Sequence, residues 1–167
     1  VENLLPLTLG MRIVLANEEE RSDAALLQGL IDKHGVDVLQ ITPSRFKWWM
    51  DQRGETDGLH KLRILMIGAE PLRLDVLGRL RAATGARLFN LYGPTETTVW
   101  TSIREVTEGE DISIGTPIEG SLMMVLDEGM KLQPTGVTGE ICIGGPGVGR
   151  GYLSHPEWDV AFVPNPY

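Results

Sequence analysis

Between Arg12 and Val106 the chain alternates short, continuous apolar runs with stretches in which apolar residues recur every three or four positions. The continuous runs are Arg12–Ala16, Val36–Thr42, Leu62–Ala69, Arg87–Tyr92 and Val99–Val106. Each is rich in Val, Ile or Leu and bounded by polar residues or glycine, the pattern of strands buried on both faces of a parallel sheet. Ser22–His34 carries Ala25, Leu26, Leu27, Leu30 and Ile31 at helical spacing, with Ser22 as the expected N-cap and Gly35 at the expected stop. Leu72–Thr84 repeats the design with Leu74, Leu77, Leu80 and a following Gly85, and Ser44–Gln52 forms a third expected helix after Pro43. Strand and helix in alternation imply right-handed crossovers. The expected fold is a three-layer, flavodoxin-like α/β unit with a parallel sheet between flanking helices.

The pattern changes after Thr107. Glu108–Asp111 reads as a polar linker, and Ser113–Gly115, Leu122–Asp127 and Glu140–Gly144 are short runs set between Gly/Pro turns. They predict a partial antiparallel β subdomain. The expected division is therefore residues 1–106, an α/β subdomain, and residues 107–167, the start of a β subdomain. With 167 residues and 42% apolar composition the chain can bury a real core. A net charge of −8 argues against nucleic acid and against anionic membrane surfaces as partners. No apolar run reaches the roughly 20 residues that span a bilayer. The one cysteine, Cys142, excludes an internal disulfide and fits a reducing compartment, so a cytoplasmic location is expected. The chain opens on Val-Glu-Asn without a methionine and closes on Asn-Pro-Tyr, as an internal piece of something longer would.

Candidate chemistry concentrates in Phe89-Asn-Leu-Tyr-Gly-Pro-Thr-Glu-Thr-Thr, which follows an expected strand and so falls at a carboxyl edge, where open α/β sheets bind ligands. Gly93-Pro94 forces a turn that presents Thr95 and Glu96, oxygen ligands suited to Mg²⁺. The Asn90 amide can donate to and accept from a purine edge, and Tyr92 offers a flat face for stacking. A hairpin or N-cap turn without a ligand would use the same residues, and the residues alone leave both readings open. Gly139–Leu153 contains glycines at 144, 145, 147, 149 and 151. No Gly-Lys-Ser/Thr follows them and no strand–GxGxxG–helix surrounds them, so they read as structural turns rather than a phosphate loop. Met66–Leu72 reads as a strand-to-helix connection in which small Gly68 and Ala69 could admit a ligand to the backbone. His34, His60 and His155 lack metal-type spacing, no Gly-x-Ser-x-Gly elbow occurs, and Trp48-Trp49 reads as packing.

Taken in order, these segments resemble the adenylation domains of nonribosomal peptide synthetases, members of the adenylate-forming superfamily. Asn90-Leu-Tyr-Gly-Pro-Thr-Glu is similar to that family's NxYGPTE signature. Gly139-Glu-Ile-Cys-Ile through Arg150-Gly-Tyr-Leu is similar to its GELxIxGxGxARGY signature, with Gly149 where Ala is usual. Val1–Gly10 resembles the helix that follows the family's substrate-carboxylate region. The resemblance implies that an amino acid and ATP give aminoacyl-AMP and pyrophosphate, followed by transfer to the phosphopantetheine thiol of a peptidyl carrier protein among neighbouring synthetase domains. It implies that Asn90 meets the adenine edge, Tyr92 stacks on the ring, and Ala69, Glu70 and Pro71 line the adenine side, with Ala69 where Gly is commoner. It places Thr95 near the phosphate and gives Glu96 to Mg²⁺ as catalytic groups. The amino-acid pocket it implies is lined by Val1, Gln40, Met66, Gly68, Leu91, Val99 and Trp100.

The same resemblance implies that several parts lie outside this chain: the phosphate loop with its Lys, the Asp for the substrate ammonium, the Asp for the ribose, and the C-terminal lid with its catalytic Lys. By itself the chain is therefore expected to make no adenylate. Two other readings compete. An acyl- or aryl-CoA ligase of the same superfamily more often carries a YGxTE variant, whereas this chain has Gly-Pro-Thr-Glu-Thr-Thr intact. A non-catalytic flavodoxin-like binding module would need a phosphate loop after the first strand, where this chain has Ala16-Asn-Glu-Glu-Glu, whose carboxylates repel phosphate.

Overall fold

The computed structural model describes residues 4–53 and 59–167. Among them, helix α1 (Leu4–Thr8) and α2 (Glu18–Ser22) precede α3 (Ala24–His34), β1 (Val38–Ile41), α4 (Pro43–Arg53), β2 (Ile64–Gly68), α5 (Leu74–Ala83) and β3 (Arg87–Tyr92). A 3₁₀ turn at Thr95–Thr97, β4 (Ser102–Glu105), β5 (Thr116–Pro117), β6 (Leu122–Leu126), β7 (Glu140–Gly144) and a second 3₁₀ turn at Pro156–Ala161 complete the order. The strands β1-β2-β3-β4-β5 form one sheet in that order, and β6-β7 form a small antiparallel pair. Pairing of β1 with β2 is parallel, Val38 opposite Ile64 through Ile41 opposite Ile67. β4 runs antiparallel to β3, since the N–H of Thr101 bonds the Tyr92 carbonyl while the N–H of Val106 bonds that of Leu88. The mixed α/β class expected from the alternating pattern is the class observed, a mostly parallel sheet flanked by helices and followed by a small antiparallel sheet.

Two compact units divide the chain: Val1–Asn90 with Arg104–Ser113, and Leu91–Ile103 with Ile114–Tyr167. In the first, Leu65 and Ile67 of β2 and Leu88 of β3 pack with Phe46, Trp49, Leu77 and Leu80, all buried, so the helices cover the sheet with their apolar stripes. This burial, about 1.5–3 kcal/mol for each large apolar side chain, is the main stabilising term. Of the adjacent tryptophans, Trp49 is core while Trp48 lies half-buried under the Arg45 guanidinium, 3.8 Å from its ring centre. Among the described residues no helix is long and apolar enough to cross a membrane.

Three sequence expectations need correction. Arg12–Ala16 is not a strand: no other strand pairs with it among the described residues, and Leu15 is exposed. Apolar β-branched residues suit a pleated surface, but a ladder needs a neighbour, and here the Arg12 side chain bonds the His34 carbonyl instead. The cap of α3 is Asp23 rather than Ser22; its carboxylate accepts from the N–H groups of Ala25 and Leu26 at 2.7 and 2.9 Å. Ser22 instead ends α2, a short helix started by a reciprocal capping box between Asn17 and Glu20. Along α3, Ala24, Gln28 and Ile31 face inward while Leu26 is exposed. Finally, β4 begins at Ser102 rather than Val99, and Ser113–Gly115 stays irregular, with β5 formed at Thr116–Pro117. Thr98 and Val99 both take left-handed backbone conformations, φ 58° and 73°, which no strand can contain.

Candidate functional site

In the first unit, the carboxyl end of β2 and its neighbour β1 bring several candidate residues together. Gln40 is the cross-strand partner of Met66. Met66 and Gly68, two apart, share a face of the strand. Gln40 and Met66 line a cavity of about 550 Å³ together with Pro6, Met11, Ile13 and Val14. Of the charged groups at its edge, the Arg12 guanidinium donates to the His34 carbonyl and Asp37 pairs with Arg63 at 3.5 Å. Val1, the remaining amino-acid-pocket candidate of this unit, lies outside the described residues.

Directly after β2 the chain turns through Ala69, Glu70 and Pro71. Ala69 sits at φ 66°, a left-handed conformation that glycine adopts freely and alanine adopts at a cost of about 1–2 kcal/mol. Alanine in place of glycine is thus a strained choice here rather than a neutral one. Ala69→Gly should raise unfolding free energy by a net of about 0.5–1 kcal/mol, after the extra freedom of glycine in the unfolded chain is subtracted. Urea denaturation that showed a loss of stability would contradict this. Glu70 reaches back to the start of α4, where its carboxylate accepts from the Ser44 N–H at 2.9 Å and the Ser44 hydroxyl at 2.6 Å. These bonds hold its carboxyl below the usual range. A carboxylate at a helix N-terminus complements the dipole there, so Glu70 acts as a tertiary cap.

Asn90 in β3 is buried, and both N–H bonds of its amide are committed: Nδ2 donates to the carbonyls of Ile112 at 3.2 Å and Ser113 at 3.1 Å. Two carbonyls facing one end of an amide fix which end is nitrogen. The side chain therefore presents Oδ1 as an acceptor and has no N–H left to donate to a ligand, which corrects the expectation of a two-way partner.

The second unit carries the other candidates. Leu91 is buried in β3 and Tyr92 ends that strand half-buried. The chain then folds back so closely at Gly93 that a Cβ there would lie 2.3 Å from the Val99 carbonyl oxygen and 2.7 Å from Trp100 Cα. Thr95, exposed, and Glu96, half-buried, fall on the 3₁₀ turn. Buried Thr97 bonds the Pro94 carbonyl and, at 2.6 Å, the Thr101 hydroxyl, which closes the loop across its base. Val99 is exposed and Trp100 half-buried in the return segment. Consecutive left-handed Thr98 and Val99 store backbone strain, which persists only where the surroundings enforce it.

Residues 147–152 enforce it, and sequence reasoning missed them. The Gly149 N–H donates to the Glu96 carbonyl at 2.7 Å, and the Thr98 hydroxyl donates to the Gly147 carbonyl at 2.7 Å. The Tyr152 hydroxyl donates to Glu96 Oε1 at 2.8 Å. The bond to that carboxylate pushes the Tyr152 hydroxyl above its ordinary pKa. The signals in the sequence were the glycine spacing and the GELxIxGxGxARGY resemblance, which mark close backbone approach without naming what is approached.

Among the described residues no group of three or more His, Cys, Asp or Glu gathers as a metal site would. One carboxylate with a hard oxygen left over, Glu96 Oε2, suits Mg²⁺, which takes one or two protein carboxylates and completes its shell with phosphates and water.

Comparison with known proteins places the chain in a family. The sequence model of the AMP-binding enzyme family matches residues 1–153. A PKS-NRPS hybrid synthetase of Aspergillus niger is 39% identical over 99% of this chain, and a dimodular nonribosomal peptide synthase of Bacillus subtilis 36% identical over all of it. The chain spans 9% and 7% of those two relatives. Among solved structures, a four-domain nonribosomal peptide synthetase bound to AMP and glycine superposes with a TM-score of 0.84 at 35% identity, over 94% of this chain and 12% of that one.

Proposed function

The chain belongs to the AMP-binding enzyme family, and from that premise we propose that it forms part of the amino-acid-activating site of a nonribosomal peptide synthetase. The proposed reaction joins an amino-acid carboxylate to the α-phosphorus of ATP, giving aminoacyl-AMP with pyrophosphate as leaving group. The acyl group then passes to the phosphopantetheine thiol of a carrier protein. The observation that carries the proposal is the Gly93–Thr98 loop, in which a strained backbone presents the half-buried Glu96 carboxylate after the carboxyl end of β3.

Each residue has a definite chemical task in this reading. Asn90, with both N–H bonds taken, accepts through Oδ1 from the exocyclic amine of adenine. That selects an amino-purine over an oxo-purine, which would set oxygen against oxygen. Tyr92 stacks on the base, while Ala69 and Pro71 border it with backbone and small side chains. Thr95 offers its exposed hydroxyl to phosphate, and Glu96 holds Mg²⁺. Bound Mg²⁺ would supply charge neutralisation on the phosphate oxygens.

Gln40, Met66, Gly68, Leu91, Val99 and Trp100, with Val1, line the amino-acid pocket in this proposal. None is charged, and of the charged side chains near Gln40 and Met66, Asp37, exposed, pairs with Arg63 and Arg12, also exposed, bonds the His34 carbonyl. An unpaired buried charge costs several kcal/mol, so the substrate is an uncharged amino acid with a medium-to-large side chain. Adenylation also needs groups that this chain does not supply: a cation on the phosphates, and carboxylates for the substrate ammonium and the ribose. The chain alone makes no adenylate. Amino-acid-dependent pyrophosphate exchange tests both parts. In the synthetase that contains this chain, uncharged amino acids should give the fastest exchange, and the 167-residue chain alone should give background. Fastest exchange with Asp, Glu, Lys or Arg, or exchange by the chain alone, would refute the corresponding part.

A further inference from the structure

Tyr152 lies 56 residues beyond Glu96 in sequence, yet its hydroxyl is the group that grips the Glu96 carboxylate. Its placement is over-determined. The Tyr152 N–H donates to Asp159 Oδ1 at 2.8 Å. The ring meets Trp158 edge-on with centroids 5.3 Å apart, and Phe162 at 6.2 Å. Gly151 takes φ 124°, a backbone conformation that residues with a side chain rarely adopt, and a Cβ there would press on the Asp159 carboxylate at 2.9 Å. The 3₁₀ turn at Pro156–Ala161 thus fixes both the backbone and the ring of Tyr152. Only the hydroxyl remains to act outward, and it acts on Glu96.

We propose that Tyr152 is a positioning residue, whose hydroxyl holds Glu96 Oε1 so that Oε2 is presented to the Mg²⁺·ATP complex. This rests on the reading of Glu96 given above. A glutamate has three side-chain torsions to freeze before it can bind a cation. A hydroxyl bonded to one carboxylate oxygen freezes them in advance and leaves the other oxygen as the ligand. Such supporting groups around metal ligands are typically worth 10–100-fold in metal affinity. The Gly149 bond holds the Glu96 carbonyl and the Thr98 bond ties down the residue two positions on, so the hydroxyl acts on a side chain whose backbone is already tethered.

The test uses the synthetase containing this chain and reads binding as well as turnover. Tyr152→Phe keeps the ring contacts with Trp158 and Phe162 and removes only the hydroxyl. Calorimetric titration with Mg²⁺·ATP should show affinity weakened about tenfold. Thermal stability should be unchanged, and KM for Mg²⁺·ATP should rise more than kcat falls. The double variant Tyr152→Phe with Glu96→Gln should bind no more weakly than Glu96→Gln alone, because the hydroxyl acts through the carboxylate. Glu96→Asp supplies a second probe: its carboxylate is drawn back by one methylene, so Tyr152→Phe should have little further effect in that background. Unchanged Mg²⁺·ATP affinity in Tyr152→Phe beside a defective Glu96→Gln overturns the proposal and leaves the reading of Glu96 standing. Equal losses from Tyr152→Phe in the wild-type and Glu96→Gln backgrounds also overturn it, since the tyrosine would then act elsewhere. Normal Mg²⁺·ATP affinity in Glu96→Gln removes the reading of Glu96 and this proposal with it.

Discussion

Glu96→Gln in the parent synthetase should lower amino-acid-dependent pyrophosphate exchange at least tenfold, on the order of 1.4 kcal/mol of lost transition-state stabilisation. The substitution keeps the length of the side chain and an oxygen able to accept from the Tyr152 hydroxyl, so the loop keeps its bonds to Gly149 and Gly147. What it removes is the charge. A neutral amide is a poor ligand for Mg²⁺, which prefers anionic oxygen, and the phosphates would lose part of the field that balances their developing charge. The stability of the variant should therefore stay near wild type while its rate falls. Unchanged exchange, measured at saturating amino acid and across a Mg²⁺ titration, would reject the assignment of Glu96 to the metal.

Gly93→Ala should be the most damaging single methyl group that can be added to the site. Its Cβ would stand 2.3 Å from a carbonyl oxygen, 2.7 Å from Trp100 Cα and 2.9 Å from the Thr101 nitrogen. All three are backbone atoms, so no side chain can rotate away. Relief requires the strands leading into and out of the loop to separate, which breaks the bond from the Thr101 N–H to the Tyr92 carbonyl. Overpacking of this kind costs about 1–3 kcal/mol, and a broken buried hydrogen bond adds about 1–3 kcal/mol. A drop of about 3 kcal/mol in urea-induced unfolding is expected, together with loss of exchange activity, because Thr95 and Glu96 ride on the displaced segment. A variant with normal stability and normal exchange would show that the loop is looser than its contacts imply.

The sequence was most readable where one local rule acted alone. β3 was located to the residue because an apolar run ended at Gly-Pro, and α3 ended at Gly35 in the left-handed conformation a C-cap requires. Adenine-binding and catalytic candidates were legible through the NxYGPTE resemblance rather than through chemistry, since a Gly-Pro turn by itself has several uses. Readability failed where the outcome depended on a distant partner. The run at Arg12–Ala16 has strand composition and no strand beside it among the described residues. Val99 has strand composition too, but the bond from the Thr98 hydroxyl to the Gly147 carbonyl belongs to a contact made across 49 positions. Likewise nothing adjacent to Glu70 shows that its carboxylate closes the end of α4, 26 residues earlier.

The grouping of Leu91–Ile103 with Ile114–Tyr167 bears on how such synthetases can be recombined. A crossover placed near residue 107, where composition changes, would inherit Glu96 from one parent and Tyr152, Gly149 and Gly147 from the other. The three hydrogen bonds that shape the Glu96 loop would then join residues with separate histories. Moving Leu91–Ile103 and Ile114–Tyr167 together keeps those bonds within one lineage, at the cost of three junctions, before Leu91 and on both sides of Arg104–Ser113. Chimaeras built at the two kinds of junction, compared for Mg²⁺·ATP binding, would show how far the loop and its strap must travel as one inherited block.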